Sequence, residues 1–266
     1  MSSNSGVWFQ SFCSGSSGNC YYLGTARGGI LIDAGVGVRT LKANLTRLGL
    51  SFDDIAAVLV THDHFDHIRS LGSYCKKLGK PVWMTRELRN APAVGWMTGE
   101  HLASVVRLFP DEGPAEIIPG LLSATPFVVP HDATQTVGFN IKIKGCRFVI
   151  MTDTGAVTEE AMDYASQADT VVIEANYDLY MLRHGSYPKD LQDRICGGHG
   201  HLSNDECAAA VKAFMHEGLR NVFLCHLSAQ NNTPEAALEA VGAALAGTGV
   251  RLAALPRTTT SVFYEL

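Results

Sequence analysis

Thr61-His62-Asp63-His64-Phe65-Asp66-His67 sets three imidazoles and the Asp66 carboxylate directly after the apolar run Ile55-Ala56-Ala57-Val58-Leu59-Val60. Imidazole nitrogen and carboxylate oxygen are donors that Zn2+, Mn2+ and Fe2+ accept, so the H-x-H-x-D-H spacing reads as a two-metal site. His62 and His64, two apart, can point the same way from extended backbone, while Asp66 and His67 can turn toward a second ion. A short run rich in Val, Leu and Ala suits a strand buried on both faces, with the cluster emerging at its carboxyl end, where open α/β sheets keep their sites. The competing reading is a histidine-rich surface loop. Partners for such a site close three other apolar segments: His131 follows Phe127-Val128-Val129-Pro130, Asp153 follows Phe148-Val149-Ile150-Met151-Thr152, and His226 follows Val222-Phe223-Leu224-Cys225. Taken singly, His131 or His226 reads as a satisfied structural histidine. Their recurrence at the ends of expected strands sets them apart.

With these residues the chain resembles the metallo-β-lactamase-fold hydrolases. The resemblance implies two divalent ions, Zn2+ or Mn2+, with His62, His64 and His131 on one, Asp66, His67 and His226 on the other, and Asp153 bridging both. It also implies an α/β fold, a four-layer αββα sandwich of two mixed β-sheets with helices outside and the metals at one edge. Asp33, in Ile30-Leu31-Ile32-Asp33-Ala34-Gly35, matches the family's early aspartate, whose implied role is to orient a ligand rather than to coordinate.

A narrower match rests on Ser14-Gly15-Ser16-Ser17-Gly18-Asn19-Cys20, Gly200-His201-Leu202-Ser203-Asn204 and Asn231-Asn232-Thr233-Pro234. Over nearly its whole length the chain resembles the bacterial YycJ or WalJ family, related to the tRNA 3′-processing endonucleases and to cyclic phosphodiesterases of the phosphonate pathway. In those relatives a glutamate and a histidine contact the Asp of the motif and relay a proton, and Glu174 and His201 fall on those positions. The resemblance implies a dinuclear phosphodiesterase or nuclease, 5′-to-3′ exonuclease-like on single-stranded or nicked nucleic acid. A hydroxide held between two cations about 3.5–4 Å apart would attack phosphorus. His201, kept cationic by Glu174 and Asp66, would protonate the leaving oxygen. The alternative for Glu174 and His201 is an ordinary ion pair at a helix start. Ser16, Ser17 and Asn19, in a turn able to hold a phosphate, and Ser228 are the expected substrate contacts, although Ser-Gly runs also make plain turns. His184, Ser186 and the Cys196-Gly197-Gly198-His199 stretch depart from the family pattern.

Composition sets the remaining bounds. At 266 residues with 46% hydrophobic and 18% charged residues, the chain is expected to form one hydrolase domain over 1–266. The start, Met1-Ser2-Ser3-Asn4-Ser5-Gly6, lacks the basic and apolar regions of a leader, and no apolar run reaches membrane-spanning length, which places the protein in the cytoplasm. Seven cysteines without a C-x-x-C pair read as reduced small hydrophobes. A formal charge of −5 does not suit broad duplex binding. Locally, Arg69, Lys76, Lys77, Lys80, Arg86 and Arg89 face only Glu87, either a track for a nucleic-acid strand or a solvated helix face. Two other classes stay open: a thioesterase or lactonase on the same ions without the His201 relay, and a non-catalytic metal-stabilised module.

Pattern and turn residues predict strands at 7–12, 21–23, 29–32, 55–60, 81–84, 122–129, 137–143, 146–151, 170–173, 222–224 and 261–264. They predict helices at 38–48, 67–78, 158–165, 189–195, 203–217 and 234–246. Ser203-x-x-Glu206 is a capping box, and Thr233-Pro234 puts a hydroxyl cap before a first-turn proline.

Overall fold

Alternating apolar residues build two seven-stranded mixed sheets in the computed structural model, which describes residues 6–266. Residues 1–5, where most of the leader reading falls, lie outside the described residues. The strands are β1 Val7–Gly15, β2 Gly18–Thr25, β3 Gly28–Ile32, β4 Ile55–Leu59, β5 Val82–Met84, β6 Val106–Leu108, β7 Ala115–Ile118, β8 Leu122–Val129, β9 Thr136–Ile143, β10 Cys146–Met151, β11 Thr170–Glu174, β12 Asn221–Cys225, β13 Arg251–Ala254 and β14 Tyr264–Glu265. The helices are α1 Val38–Arg47, α2 Phe65–Ile68, α3 Leu71–Leu78, α4 Arg86–Asn90, α5 Pro92–Thr98, α6 Glu159–Ala165, α7 Leu179–His184, α8 Lys189–Ile195, α9 Asn204–Phe214 and α10 Pro234–Ala244.

The first sheet runs β14-β1-β2-β3-β4-β5-β6 and the second β13-β12-β11-β10-β9-β8-β7. Phe9, Tyr21, Ile30, Ile32, Ala57 and Leu59 of the first meet Phe139, Ile141, Phe148, Ile150 and Phe223 of the second in one buried layer. The outer face of the first sheet is covered by Leu41, Leu45, Leu71, Tyr74, Leu88 and Val94 from α1, α3, α4 and α5. On the second sheet, Ala161, Cys207, Val211, Phe214, Ala237 and Val241 of α6, α9 and α10 do the same. This is the expected four-layer sandwich. Burial of both sheets on both faces is why β4 reads as an unbroken apolar run and β11 carries Val171, Val172 and Ile173 in succession.

Strand direction gathers one end of each sheet at one edge. In the first sheet β3 through β6 are parallel, and β1 shares their direction because β2 is antiparallel to both its neighbours. In the second, β10 through β13 are parallel, and β8 joins them through antiparallel β9. The carboxyl ends of β1, β3, β4, β8, β10, β11 and β12 therefore open on the same edge. The Val137 amide donates to the Thr61 carbonyl at 3.0 Å and stitches the sheets together there.

Several expectations change. The helix expected over 67–78 breaks at Arg69-Ser70, because the Ser70 amide donates to the Ala34 carbonyl and the Ala34 amide to the His67 carbonyl, diverting the helical ladder. Gly35 permits this approach, since a Cβ there would stand 1.8 Å from the Asp66 carbonyl oxygen. Helix α9 stops at Phe214 instead of 217, where Met215 turns extended and the His216 ring accepts the Gly218 amide. Of the strand expected over 261–264, only Tyr264 pairs, through β14 with β1. Ser261 instead caps Gln10 and Ser11 with its carbonyl and hydroxyl. Unanticipated elements are α4, α5, β6, β7, α7 and β13. Both marked helix starts are present: Ser203 and Glu206 form the reciprocal box, and Thr233 Oγ1 accepts from the Ala236 amide. The seven cysteines are all free, and no helix of the described residues is long and apolar enough to cross a membrane.

Candidate metal centre

Each expected donor leaves a strand end or the turn after it. Asp33 follows β3, residues 60–67 follow β4, His131 follows β8, Asp153 follows β10, Glu174 ends β11 and His226 follows β12. Asp33 (φ 64°), Asp153 (φ 22°) and His226 (φ 52°) all adopt the left-handed region, a strained turn that swings each side chain out of its sheet.

The hydrogen bonds then fix which nitrogen each imidazole presents. His67 Nδ1 donates to Asp33 Oδ2 at 2.7 Å, and His62 Nδ1 donates at 2.9 Å to Thr61 Oγ1, whose own proton goes to Asp33. His131 Nδ1 donates to the Gly200 carbonyl at 2.7 Å, His226 Nδ1 to Glu174 Oε1 at 3.0 Å, and His64 Nε2 to the Asp132 carbonyl at 3.2 Å. All five rings thus spend one nitrogen outward and keep the other for the interior. His64 Nδ1 and His131 Nε2, both acceptors in these tautomers, face each other at 3.2 Å. His62 Nε2 and His226 Nε2 are buried with no hydrogen-bond partner among the described residues. Asp153 Oδ2 also lacks an aligned donor, although His67 Nε2 is 3.1 Å away. Buried polar atoms left unpaired in this way cost folding free energy unless a ligand takes them up.

The donors converge in overlapping groups. His62, His64 and His131 form one, Asp66, His67 and His226 another, and His62, His67 and Asp153 lie between, each group's atoms within 4.8 Å of one another. Asp153 is central: Oδ1 is 3.2 Å from His226 Nδ1 and 3.9 Å from His131 Nε2. Nitrogen and oxygen donors with orphaned lone pairs fit divalent transition-metal ions. Burial opposes charge on His67, but Asp153 and Asp33 override it and push its pKa up to about 10. His226 is likewise raised against its burial by Asp153, Asp66 and Glu174. His62 is pushed the other way, by burial and by the neighbouring His67.

Glu174 is fully buried and binds on all sides. Its carboxylate accepts from His201 Nδ1 at 2.7 Å, the Thr154 amide at 2.9 Å, the Leu202 amide at 3.2 Å and His226 Nδ1. Burial disfavours its charge, but His201 outweighs that and lowers its pKa, while Glu174 raises that of His201. Among the described residues Asp66 makes no hydrogen bond or ion pair with this pair. Its Oδ2 is instead 3.0 Å from Asn19 Nδ2 and 3.5 Å from His226 Nε2, so Glu174 and not Asp66 holds the charge on His201.

A cavity of about 380 Å3 opens beside the cluster, lined by His64, His201 and His226 together with Ser16, Ser228 and Arg194. Ser16 and Ser228 therefore stand where substrate contacts were expected. Ser17 is exposed at the β1–β2 hairpin tip but does not line the cavity. Asn19 faces inward, buried, with Nδ2 2.8 Å from His67 Nε2 and 3.1 Å from the Gly15 carbonyl, so it braces the donors instead of meeting substrate. Ser14 Oγ accepts from the His226 amide at 3.0 Å, tying the hairpin to the second sheet. The departing segments have structural roles. The backbone around Gly198 packs where a Cβ on Gly155 would stand, 2.3 Å away, and His184 stacks on Tyr180 with ring centroids 4.0 Å apart.

Three residues escaped the sequence reading. Asp132 places Oδ1 3.5 Å from His131 Nε2 and 3.7 Å from His64 Nε2, while Arg194 holds its other oxygen. Asn176 Nδ2 donates to the His226 carbonyl at 2.8 Å and to Glu174. A carboxylate directly after His131 was a usable signal; Arg194 and Asn176 gave none, because only the fold brings α8 and the segment after β11 to the cavity.

Comparison with known proteins agrees with this architecture. Residues 29–227 match the β-lactamase superfamily domain. The chain is 30% identical to the exodeoxyribonuclease YycJ of Bacillus anthracis, covering 90% of this chain and 89% of the relative. It is 32% identical to the exodeoxyribonuclease WalJ of Streptococcus pneumoniae, covering 87% and 86%. The metallo-β-lactamase fold protein YhfI from Bacillus subtilis superposes with a TM-score of 0.70 over 98% of this chain and all of that one, at 14% identity, a likeness of fold alone. The chain belongs to the β-lactamase superfamily and, within it, to the family of the YycJ and WalJ proteins.

Proposed function

We propose that this chain is a dinuclear metal-dependent phosphodiesterase, exonuclease-like and acting from the 5′ end of single-stranded or nicked nucleic acid. The observation that carries the hydrolase reading is the set of five imidazoles tethered through one nitrogen and converging through the other, with Asp66 and Asp153 between them. His62, His64 and His131 would hold one ion and Asp66, His67 and His226 the second, with Asp153 shared. Zinc and manganese both suit this donor set. When bound, two such ions supply an activated water near neutral pH and take up charge developing on a phosphate oxygen. The exodeoxyribonuclease activity named for the YycJ and WalJ relatives supports nucleic acid as the substrate class.

The chain's own residues answer the leaving-group problem. Glu174 occupies His201 Nδ1, so the histidine's remaining nitrogen carries the transferable proton, and the ring lies in the cavity wall. An alkoxide leaving group needs that proton. A thioester or lactone has less need of it, which disfavours the acyl-hydrolase alternative. Arg194, the only lysine or arginine among the described residues that line the cavity, is held by Asp132 where it could meet a phosphate. Residues 1–266 would act as one hydrolase domain, in the reducing cytoplasm where seven free cysteines persist.

The leaving group provides the test. His201→Ala should retain its metal and lose roughly a hundredfold to ten-thousandfold in turnover of oligonucleotides. Bis-nitrophenyl phosphate, whose nitrophenolate departs unprotonated, should be cleaved at nearly the parental rate. Equal losses on both substrates, or thioester turnover without oligonucleotide cleavage by the parent, would overturn the reading.

A further inference from the structure

Helices α2, α4 and α5 leave an exposed aromatic and cationic ledge on the first-sheet side of the donor cluster. Trp96 on α5 is 92% exposed, and Phe65, between His64 and Asp66 on α2, is 64% exposed. Helix α5 packs against both α2 and α4, so the three short helices that carry these aromatic residues and the α4 arginines are neighbours. Arg69 caps α2, while Arg86 and Arg89 lie on α4. Among the described residues, the lysines and arginines in ion pairs are Arg183, Lys189 and Arg194, so these three arginines have no carboxylate partner. Glu87 is the one acidic residue on α4.

The fold separates the basic stretch into two groups. Helix α3 starts beside the centre and runs to the opposite edge, and β5 returns. Lys76 and Lys77 therefore sit at the far end of α3, and Lys80 donates to the Asp53 carbonyl beside the start of β4. Arg69, Arg86 and Arg89 remain at the edge where β4 and β5 deliver their ends. A tryptophan with almost all of its surface in water contributes little to the core that α5 builds through Val94. Aromatic faces interleaved with unpaired guanidinium groups match a single strand, whose bases stack and whose phosphates need counter-charge. The overall charge of −5 disfavours a duplex.

We propose that this ledge is a track for single-stranded nucleic acid, with bases on Trp96 and Phe65 and phosphates on Arg69, Arg86 and Arg89, leading away from the metal centre. The proposal deepens the phosphodiesterase reading and rests on it.

The experiment measures anisotropy of a labelled, cleavage-resistant phosphorothioate oligothymidylate with the metal-loaded full chain, across salt concentrations. Trp96→Ala should weaken binding roughly fivefold to a hundredfold, and Trp96→Phe should largely restore it. Arg86→Gln and Arg89→Gln should each lower the slope of log affinity against log salt by about 0.7. All these variants should turn over bis-nitrophenyl phosphate at the parental kcat and KM, since that substrate is too short to reach the ledge. Parental oligothymidylate affinity and salt slope in Trp96→Ala and both arginine variants would reject the track. So would duplex binding that outcompetes the single strand, or self-association that alone depends on Trp96. Oligothymidylate binding that requires Trp96 in a protein unable to cleave any phosphodiester would keep the track and reject the enzymatic reading instead.

Discussion

The first sheet delivers His62, His64, Asp66 and His67 from one loop, whereas the second delivers His131, Asp153 and His226 from three separate strand ends. Most of the loop is braced from within the first sheet: Asp33 and Thr61 take the outward nitrogens of His67 and His62, Asn19 closes on His67 Nε2, and α2 begins at once, while His64 reaches across to the Asp132 carbonyl. The second set depends on long-range partners. Gly200 holds His131, Glu174 and Ser14 hold His226, and two of the three donors sit in left-handed backbone. A compact motif tolerates distant change better than donors assembled one by one, so the second sheet is where the centre should fail first.

Asp153→Ala gives the largest expected effect, because one carboxylate reaches His67, His131 and His226. Turnover should vanish and bound metal should fall while circular dichroism stays parental; unchanged metal content and activity would remove Asp153 from the centre. Asp33→Asn probes the braced half. Asparagine tolerates the φ of 64° as aspartate does, so the change isolates the charge behind His67 and Thr61. Metal affinity should fall roughly tenfold to a hundredfold, the usual cost of losing such a partner, as read by chelator competition.

Proton linkage offers a subtler contrast. In the metal-free chain His67 keeps its proton up to about pH 10, while an unfolded histidine releases it near 6.5. Its ion pairs with Asp153 and Asp33 therefore stabilise the metal-free fold fully below about pH 6.5 and lose that contribution as pH rises toward 10. A metal needs the neutral ring, so uptake releases at least this proton, with His226 adding to the release, and affinity should climb by at least about tenfold per pH unit over this window. Calorimetry in buffers of different ionisation enthalpy measures that release; none at pH 8 would contradict the assignment. The smallest effect is a control far from both halves: Thr233→Ala removes the cap on α10 and should cost about 1 kcal/mol of stability in urea, leaving metal affinity unchanged.

The same asymmetry decided what the sequence disclosed. H-x-H-x-D-H was legible because its chemistry is contiguous, and His131, Asp153 and His226 because each closes an apolar strand. Asn176, Arg194 and the inward turn of Asn19 were not, since their roles depend on which loops the two sheets bring together. Strands such as β4, β8 and β10 followed from apolar patterning and the four layers from the family resemblance, but α4 and α5, at five and seven residues, are too short to show a helical period. That is why the basic stretch was legible as a track or a solvated helix face, but the place of Trp96 beside it was not.

The hydrogen bond from the His226 amide to Ser14 joins nearly opposite ends of the chain, and it sets a timetable for synthesis. On the ribosome, at about 5–20 residues per second, the histidine loop emerges on the order of ten seconds or more before His226 exists to meet it. During that interval the nascent chain offers a half-built chelator to any passing cation. The hairpin waits as well, its serine hydroxyl served by water until the last donor arrives. The donor set is thus complete only near the end of translation, when the second sheet closes against the first.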